Sequence, residues 1–412
     1  MAPNPLDNVT NTSFSRRALV GSSALVGATA ALSSLTGCGK DEGEVQPSTG
    51  EPQVIEDASM YLSVPDEFEG KDSPYKPSYL WELPVGCVPV YSQGSYAVVL
   101  KAGEAAGAGV TLSLLSLSSG NMVSMLKQAT SGSNFELHDA RCSDTLLAWI
   151  EIDYVTNDWK LLAQPIFEAQ TDGSAVVIDE GDKNFDPPLM AVYGDTVIWN
   201  HMPNPYGERS SETSYCYAYK RGSAAEKHAT VWESVGRFAT APTVSDGYLT
   251  ITPRVRQEEG TYYGLTAIDL SSDNYAQVDQ LVLPSGVRPF SAGYWNARFA
   301  FSVEASYGYG GLFGSMGSYI GREGETYLVM PYEPAAPICG WKNKYIVKVR
   351  SSHYVVDVDD ESYCVIACPD RALNWGDYPA SVSEGSRFVT YAACRDLSTG
   401  KPANVQVRVF DL

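Results

Sequence analysis

One pattern recurs along this chain: a short polar turn containing Asp, Asn or Gly, followed by a strongly apolar strand. The first apolar residues of these strands are Tyr96, Leu146, Val197, Tyr248, Phe299, Tyr345 and Phe388. They are separated by 50, 51, 51, 51, 46 and 43 residues. A regular period of this length indicates a repeat architecture, in which each unit buries its apolar surface against its neighbours.

Each interval has room for four strands. In the fourth unit, YLTITPRVRQ is followed by TYYGLTAIDLSSD and QVDQLVLPSG, which are β-forming runs separated by turn residues. Units of this kind resemble the blades of a β-propeller. The sequence therefore predicts an all-β fold, a seven-bladed β-propeller over residues 78–412. A pair of β-sandwiches and a solenoid are the alternatives.

A propeller has to close, because an open ring would leave sheet edges unpaired. The last unit ends at Leu412 with ANVQVRVFDL, which is its third strand. The missing fourth strand is predicted in SYLWELPVG, residues 78–86, which resembles ATVWESVG at the end of the third unit. An N-terminal strand would then close the last blade.

The first forty residues carry export signals. Ser15-Arg16-Arg17-Ala18-Leu19-Val20 resembles the twin-arginine export motif, and Leu35-Thr36-Gly37-Cys38 resembles the lipobox of bacterial lipoproteins. The stretch between them is too rich in Gly, Ala and Ser for a stable membrane-spanning helix. These resemblances imply a signal peptide over residues 1–37, in which Arg16 and Arg17 are the export signal. The mature protein would be anchored to the membrane by lipid on Cys38.

Residues 38–77 are rich in Gly, Pro, Asp and Glu and are predicted to form an acidic flexible tether. Together with the export and lipid signals, this tether predicts an extracytoplasmic protein.

The chain has 29 Lys and Arg against 49 Asp and Glu, a net charge of −20. Nucleic acid is excluded as a partner, because binding phosphates requires a basic surface.

No motif in the sequence identifies a catalytic centre. The four histidines, His138, His201, His228 and His353, lie in different units and form no metal-binding pattern. There is no Gly-x-Ser-x-Gly motif and no haem-attachment or phosphate-binding motif, so no metal or cofactor is expected. The irregularly spaced cysteines are expected to be mostly free and buried.

The segment SYGYGGLFGSMGSYIG, residues 306–321, is predicted to form a lip whose Tyr307, Tyr309, Phe313 and Tyr319 contact a partner; a flexible hairpin is the alternative. YVTN, residues 154–157, matches the tetrapeptide that names a family of propeller repeats. The chain thus resembles exported bacterial lipoproteins with TolB-like or YVTN-like propellers.

Export, tether and the missing catalytic motif favour a monomeric binding or scaffolding module. Its ligand would be an unidentified protein, peptide or glycan. The alternative is a carbohydrate-active hydrolase or lyase whose carboxylates lie in the central funnel of the propeller.

Overall fold

The computed structural model describes residues 50–103, 109–224, 228–256, 260–350, 352–367, 379–380 and 387–412. Arg16, Arg17 and Cys38 of the predicted export and lipid signals lie outside these residues. Within the described part of the chain, no helix is long and apolar enough to cross a bilayer.

The fold begins with an N-terminal segment of short elements. They are a 3-10 helix at Ala58–Met60, β1 at Tyr61–Ser63, α1 at Val64–Glu67, β2 at Glu69–Lys71 and β3 at Tyr79–Leu83.

Seven antiparallel sheets, named blades 1 to 7 in chain order, follow this segment. Blade 1 contains β4 (Cys87–Gln93), β5 (Tyr96–Lys101), β6 (Thr111–Ser116) and β7 (Met122–Leu126). Blade 2 contains β8 (Glu136–Cys142), β9 (Leu146–Asp153), β10 (Asp158–Phe167), β11 (Gln170–Thr171) and β12 (Val176–Gly181). Blade 3 contains β13 (Leu189–Tyr193), β14 (Thr196–His201), β15 (Ser214–Lys220) and β16 (Ala229–Ser234).

The next three blades have the same four-strand order. Blade 4 contains β17 (Thr243–Ser245), β18 (Tyr248–Ile251), β19 (Gly264–Asp269) and β20 (Gln277–Val282). Blade 5 contains β21 (Ser291–Trp295), β22 (Arg298–Val303), a 3-10 turn at Leu312–Gly314, β23 (Gly317–Gly321) and β24 (Tyr327–Met330). Blade 6 contains β25 (Cys339–Trp341), β26 (Lys344–Val349), β27 (Ser352–Asp357) and β28 (Ser362–Ala367).

Blade 7 combines the two ends of the propeller. It contains β29 (Pro379–Ala380), β30 (Arg387–Arg395) and β31 (Pro402–Asp411), and its fourth strand is β3. β3 pairs with β31 in the antiparallel direction, with Tyr79 opposite Val409 and Leu83 opposite Val405. The prediction of a seven-bladed propeller closed by an N-terminal strand is confirmed.

The seven strands that mark the sequence repeat are the second strands of the blades: β5, β9, β14, β18, β22, β26 and β30. These strands are covered on both faces by neighbouring blades. All eight residues of β9 are buried, for example, whereas β7 at the outer edge of blade 1 has no buried residue. A strand buried on both faces must be apolar throughout, and this requirement produces the regular pattern in the sequence.

Buried apolar side chains of the described residues pack in seven clusters. Each cluster lies between two neighbouring blades. The cluster that contains Leu83, Leu115 and Val407 joins blade 7 to blade 1 and completes the ring. The six described cysteines are buried and form no disulfide bond, as expected from the sequence.

The N-terminal segment corrects one expectation. Over residues 50–71, here called the strap, the chain lies against the outer edges of blades 4 to 6 and is not a flexible tether. β1 pairs in parallel with β24, and β2 pairs in parallel with β28. Ile55, Val64 and Phe68 are buried, so apolar contacts outweigh the ordering entropy that the polar composition suggested. Residues 38–49 of the predicted tether lie outside the described residues.

Candidate functional site

The first strands of the blades surround a central channel, and consecutive first strands contact each other from β4 through β25 and again between β29 and β4. A cavity of about 420 Å³ lies in this channel. All seven blades contribute to its lining, which consists of Val88, Pro89, Val90, Tyr91, Asp139, Arg141, Met190, Ala191, Ala241, Pro242, Thr243, Val244, Trp295, Pro337, Ile338, Cys339 and Tyr391.

The cavity extends along the channel and reaches one face of the ring. Because neighbouring strands are antiparallel, connections from the fourth strand of one blade to the first of the next share a face with hairpins between second and third strands. Ala241 and Pro242 precede β17, and Pro337 and Ile338 precede β25, so they belong to such connections. We call this side the connection face.

The channel lining is mostly aliphatic and aromatic, with one ionic pair. Asp139 and Arg141 are two residues apart on β8 and form a salt bridge, while Ala140 between them is buried. The Arg141 Cζ lies 5.2 Å from the centre of the Tyr91 ring, and Nη1 donates to the Ala140 carbonyl at 2.8 Å. The guanidinium is thus held in place before any ligand arrives.

This lining argues against the hydrolase alternative. Among the described residues around the cavity, Asp139 is the one carboxylate, and Arg141 neutralises it. A glycosidase of the expected type needs two carboxyl groups that face each other across the substrate. No second carboxylate from the described residues reaches the cavity.

The predicted lip is only partly exposed. Phe313 and Tyr319 are fully buried in the core between blades 4 and 5, so the prediction that they contact a partner does not hold. The Tyr319 hydroxyl donates to the Leu312 and Ser315 carbonyls at 2.8 and 2.6 Å, and burial raises the pKa of Tyr319. Tyr309 is 59% exposed on the connection face, and Tyr307 packs partly against the core. Contact of these two tyrosines with a partner stays a prediction.

One histidine faces a second cavity. His201, which belongs to no metal-binding pattern in the sequence, ends β14, and its Nδ1 lies 2.9 Å from the Asp179 Oδ2. The same carboxyl oxygen accepts from the Trp199 indole at 2.6 Å. Burial raises the pKa of the adjacent Tyr217 to about 12, and nearby Tyr215 and Asp179 contribute, so its hydroxyl stays protonated.

The Asp179–His201 pair has no hydroxyl or thiol nucleophile among the side chains that line its cavity. Nor do three or more His, Cys, Asp or Glu residues of the described chain lie close enough to hold a metal ion. The pair was not visible in the sequence, because Asp179 and His201 belong to different blades. A hint in the sequence was the long polar connection HMPNPYGERSSETS at residues 201–214, which begins at His201.

No protein-family model matches the chain. No curated protein matches it either. Among solved structures, a prolyl endopeptidase studied for its inter-domain dynamics aligns with a TM-score of 0.52 at 11% identity, covering 80% of this chain and 50% of that one.

Two other solved structures align less closely. A puromycin hydrolase has a TM-score of 0.48 at 14% identity, covering 77% of this chain and 53% of that one. The β-propeller domain of the Trilobed protease from Pyrococcus furiosus has a TM-score of 0.45 at 10% identity, covering 82% and 95%. The chain spans about half the length of the prolyl endopeptidase and the puromycin hydrolase. At these identities the likeness establishes the fold.

The comparisons correct the function expected from the sequence. We predicted a binding or scaffolding module for a protein, peptide or glycan. The solved structure that aligns with a TM-score above 0.5 is instead a prolyl endopeptidase, and this finding contradicts the prediction. A peptidase-related role takes its place as a proposal.

Proposed function

We propose that the propeller has a peptidase-related function, in which its central channel admits a peptide segment and passes it to a peptidase active site. The observation that carries this proposal is the apolar cavity on the connection face, lined by all seven blades. Its volume of about 420 Å³ lies within the range of small-ligand sites. A few residues of an extended peptide would fill it.

The chemistry of the lining favours a peptide over a sugar. Val88, Val244 and Ile338 offer apolar surface, against which apolar side chains lose contact with water. The fixed guanidinium of Arg141 can donate to a backbone carbonyl. A sugar, by contrast, would leave many hydroxyl groups without partners in this cavity.

We place the peptidase active site that receives the peptide on the connection face, which the channel cavity reaches. In the prolyl endopeptidase that shares the fold, the part aligned with this chain makes up half of the protein. The propeller would therefore select substrates, and the peptidase active site would cleave them.

We propose further that the protein works outside the cytoplasm as a lipoprotein. The support is the order of Arg16 and Arg17, the apolar stretch and the Cys38 lipobox in the sequence. Mass spectrometry of the mature protein should find a lipid-modified Cys38 at the N-terminus. Cys38→Ala should release the protein from membranes, and a mature chain that keeps residues 1–37 would contradict the proposal.

The channel is tested by placing a charge in it. Val244→Asp puts a carboxylate into the cavity. The matched control is Val278→Asp, because Val278 is 45% exposed and lies on the outer strand of the same blade. We expect a blocked apolar tetrapeptide to bind the purified protein in calorimetry and to lose about tenfold or more affinity with Val244→Asp only.

Cell envelopes with Val244→Asp should also hydrolyse that tetrapeptide more slowly than envelopes with Val278→Asp. Equal affinity in the two variants, or tighter binding of an oligosaccharide than of the peptide, would overturn the channel assignment. Unchanged hydrolysis with weakened binding would overturn the link to a peptidase.

A further inference from the structure

A second cavity, of about 690 Å³, lies between blades 2 and 3. Phe135 precedes β8, Gly181 to Phe185 connect β12 to β13, and Arg209 belongs to the β14–β15 hairpin. These segments belong to the connection face, where the channel cavity also lies. We call this cavity the rim pocket; its lining is Phe135, Asp158, Trp159, Lys160, Glu180, Gly181, Asp182, Phe185, His201 and Arg209.

One wall of the rim pocket is aromatic and fixed in position. The His201 ring contacts both Trp159 and Phe185. Its centre is 5.8 Å from that of the Trp159 ring and 4.5 Å from that of the Phe185 ring. The Trp159 indole donates to the Phe185 carbonyl at 3.0 Å, and Asp179 holds His201. Gly181 lies against the indole, and a Cβ there would be 2.4 Å from the ring.

A cation of the chain itself already lies on this wall. The Arg209 Cζ is 4.7 Å from the centre of the Phe185 ring, and its Nε donates to the Glu212 Oε1 at 2.6 Å. The hydrogen bond to Glu212 raises the pKa of Arg209, and the charge of Asp182 contributes. Arg209 is 47% exposed, so its side chain covers the pocket without being locked into it.

The remaining charges of the rim pocket are mostly negative. Lys160 pairs with Glu180 at 3.8 Å, and Arg209 pairs with Glu212. Asp158 and Asp182 form no ion pair with any described residue. An aromatic wall beside carboxylates is the arrangement that attracts an organic cation and repels an anion.

We propose that the rim pocket binds the guanidinium or ammonium group of a basic side chain in the substrate peptide, which takes the place of Arg209 on Phe185. This inference deepens the proposed function, on which it rests for the identity of the ligand as a peptide. The contacts of Arg209 with Phe185 and Glu212 show which interactions the incoming cation would make.

The two cavities are close enough for one peptide. Phe135 lines the rim pocket and Asp139 lines the channel, and these two residues are four positions apart. At about 3.3 Å per residue, an extended chain covers this separation in about four residues. The preferred substrate would then carry its basic residue about four positions from the apolar segment in the channel.

The proposal is tested by calorimetry on the full mature protein with acetyl-arginine amide and with acetyl-citrulline amide, its uncharged analogue of similar shape. We expect the arginine probe to bind about tenfold more tightly than the citrulline probe, and to bind more weakly as salt rises. Phe185→Leu, which removes the aromatic face, should reduce this preference about two- to fivefold.

Arg209→Ala gives a readout that a purely structural residue would not give. Because Arg209 competes for the site, its removal should tighten binding of the arginine probe about two- to fivefold. Arg322, which forms the same three-residue-spaced pair with Glu325 on blade 5, is the matched control, and Arg322→Ala should have no effect. Equal binding of the two probes, or weaker binding in Arg209→Ala, would overturn the proposal.

The outcomes separate this inference from the proposed function. Binding of the arginine probe without binding of the apolar tetrapeptide would support the rim pocket as a cation site and overturn the assignment of the channel as a peptide site. Binding of the tetrapeptide alone would keep the channel and overturn the rim pocket.

Discussion

Trp81 in β3 contacts blade 1 where the ring closes, and its replacement gives the sharpest test of the fold. The Trp81 indole donates to the Leu117 carbonyl of blade 1 at 3.0 Å, and its ring lies against Gly120 in the turn that follows β6. Trp81 therefore connects the last strand of blade 7 to blade 1. We expect Trp81→Ala to destabilise the whole propeller, because all seven blades share one closed ring.

The size of the effect follows from the contacts. Trp81 is half-buried, which corresponds to about 100 Å² of apolar surface and about 2.5 kcal/mol of unfolding free energy. The lost hydrogen bond adds about 1 kcal/mol. A compact unfolded state reduces the loss to about 2–3 kcal/mol. For a domain of this size, with an unfolding entropy near 0.7 kcal/mol per degree, the Tm should fall by about 3–4 °C.

A pair of glycines isolates the Trp81 contact. Gly120 and Gly222 both lie in turns between third and fourth strands with positive φ, 71° and 84°. A Cβ at Gly120 would be 2.4 Å from the Trp81 ring, whereas a Cβ at Gly222 would meet no atom of the described residues within 4 Å. Both alanine variants pay the backbone strain of about 1 kcal/mol, and only Gly120→Ala should lose about 2 kcal/mol more.

Calorimetry and chemical denaturation measure these differences, and a double-mutant cycle completes the test. In the Trp81→Ala background, Gly120→Ala should cost no more than Gly222→Ala. If Gly120→Ala and Gly222→Ala are equally destabilising in the otherwise unchanged protein, Trp81 does not hold the ring closed as described.

Two further predictions concern buried ionisable groups. The buried Glu151 carboxylate accepts four hydrogen bonds, from Trp149, Thr130 and Ser131, at 2.7 to 2.9 Å; burial alone would raise the pKa of Glu151, but these bonds hold it below its usual value. Glu151→Gln places an amide donor against backbone donors and should lower the unfolding free energy by about 2–4 kcal/mol. Urea denaturation measures this loss, and an unchanged free energy would mean that these hydrogen bonds do not stabilise the fold. Burial holds the pKa of His353 well below 6.5, so only the unfolded chain takes up a proton there as the pH falls below 6.5. Unfolding free energy should then drop by up to about 1.4 kcal/mol per pH unit, and His353→Leu should reduce this slope; equal slopes in the two proteins would contradict the assignment.

The sequence predicts the blades well because the signal comes from strands with a strict environment. A second strand such as β9 lies between two blades and must be apolar along its whole length. The turn before it must bring the chain straight back, and Asp246 and Gly247 before β18 do so with φ of 48° and 80°. Seven copies of the same physical requirement produce a period that one chain can reveal without relatives.

The candidate sites lack such a signal. The channel is lined mainly by first strands and the connections before them, and β17 and β25 have three residues each, too short for any periodicity. Asp139 and Arg141 lie in a stretch that reads as an ordinary exposed strand. In the rim pocket, Trp159 of blade 2 contacts His201 of blade 3, and these two residues meet because the propeller places the two blades side by side. Sites built between repeats therefore stay hidden from an analysis that treats the repeats one at a time.

The strap shows a different limit of sequence reasoning. Its polar, acidic composition indicates disorder when the segment is considered alone, because too few apolar residues are present to offset ordering entropy. The propeller, however, presents β24 and β28 as unpaired edges, and an edge strand gains stability from any chain that can complete its hydrogen bonds. Three buried side chains, Ile55, Val64 and Phe68, are then enough to hold β1 and β2 in place. The same pairing protects the edges from association with a second molecule, so loss of the strap should promote aggregation before it lowers the stability of the ring.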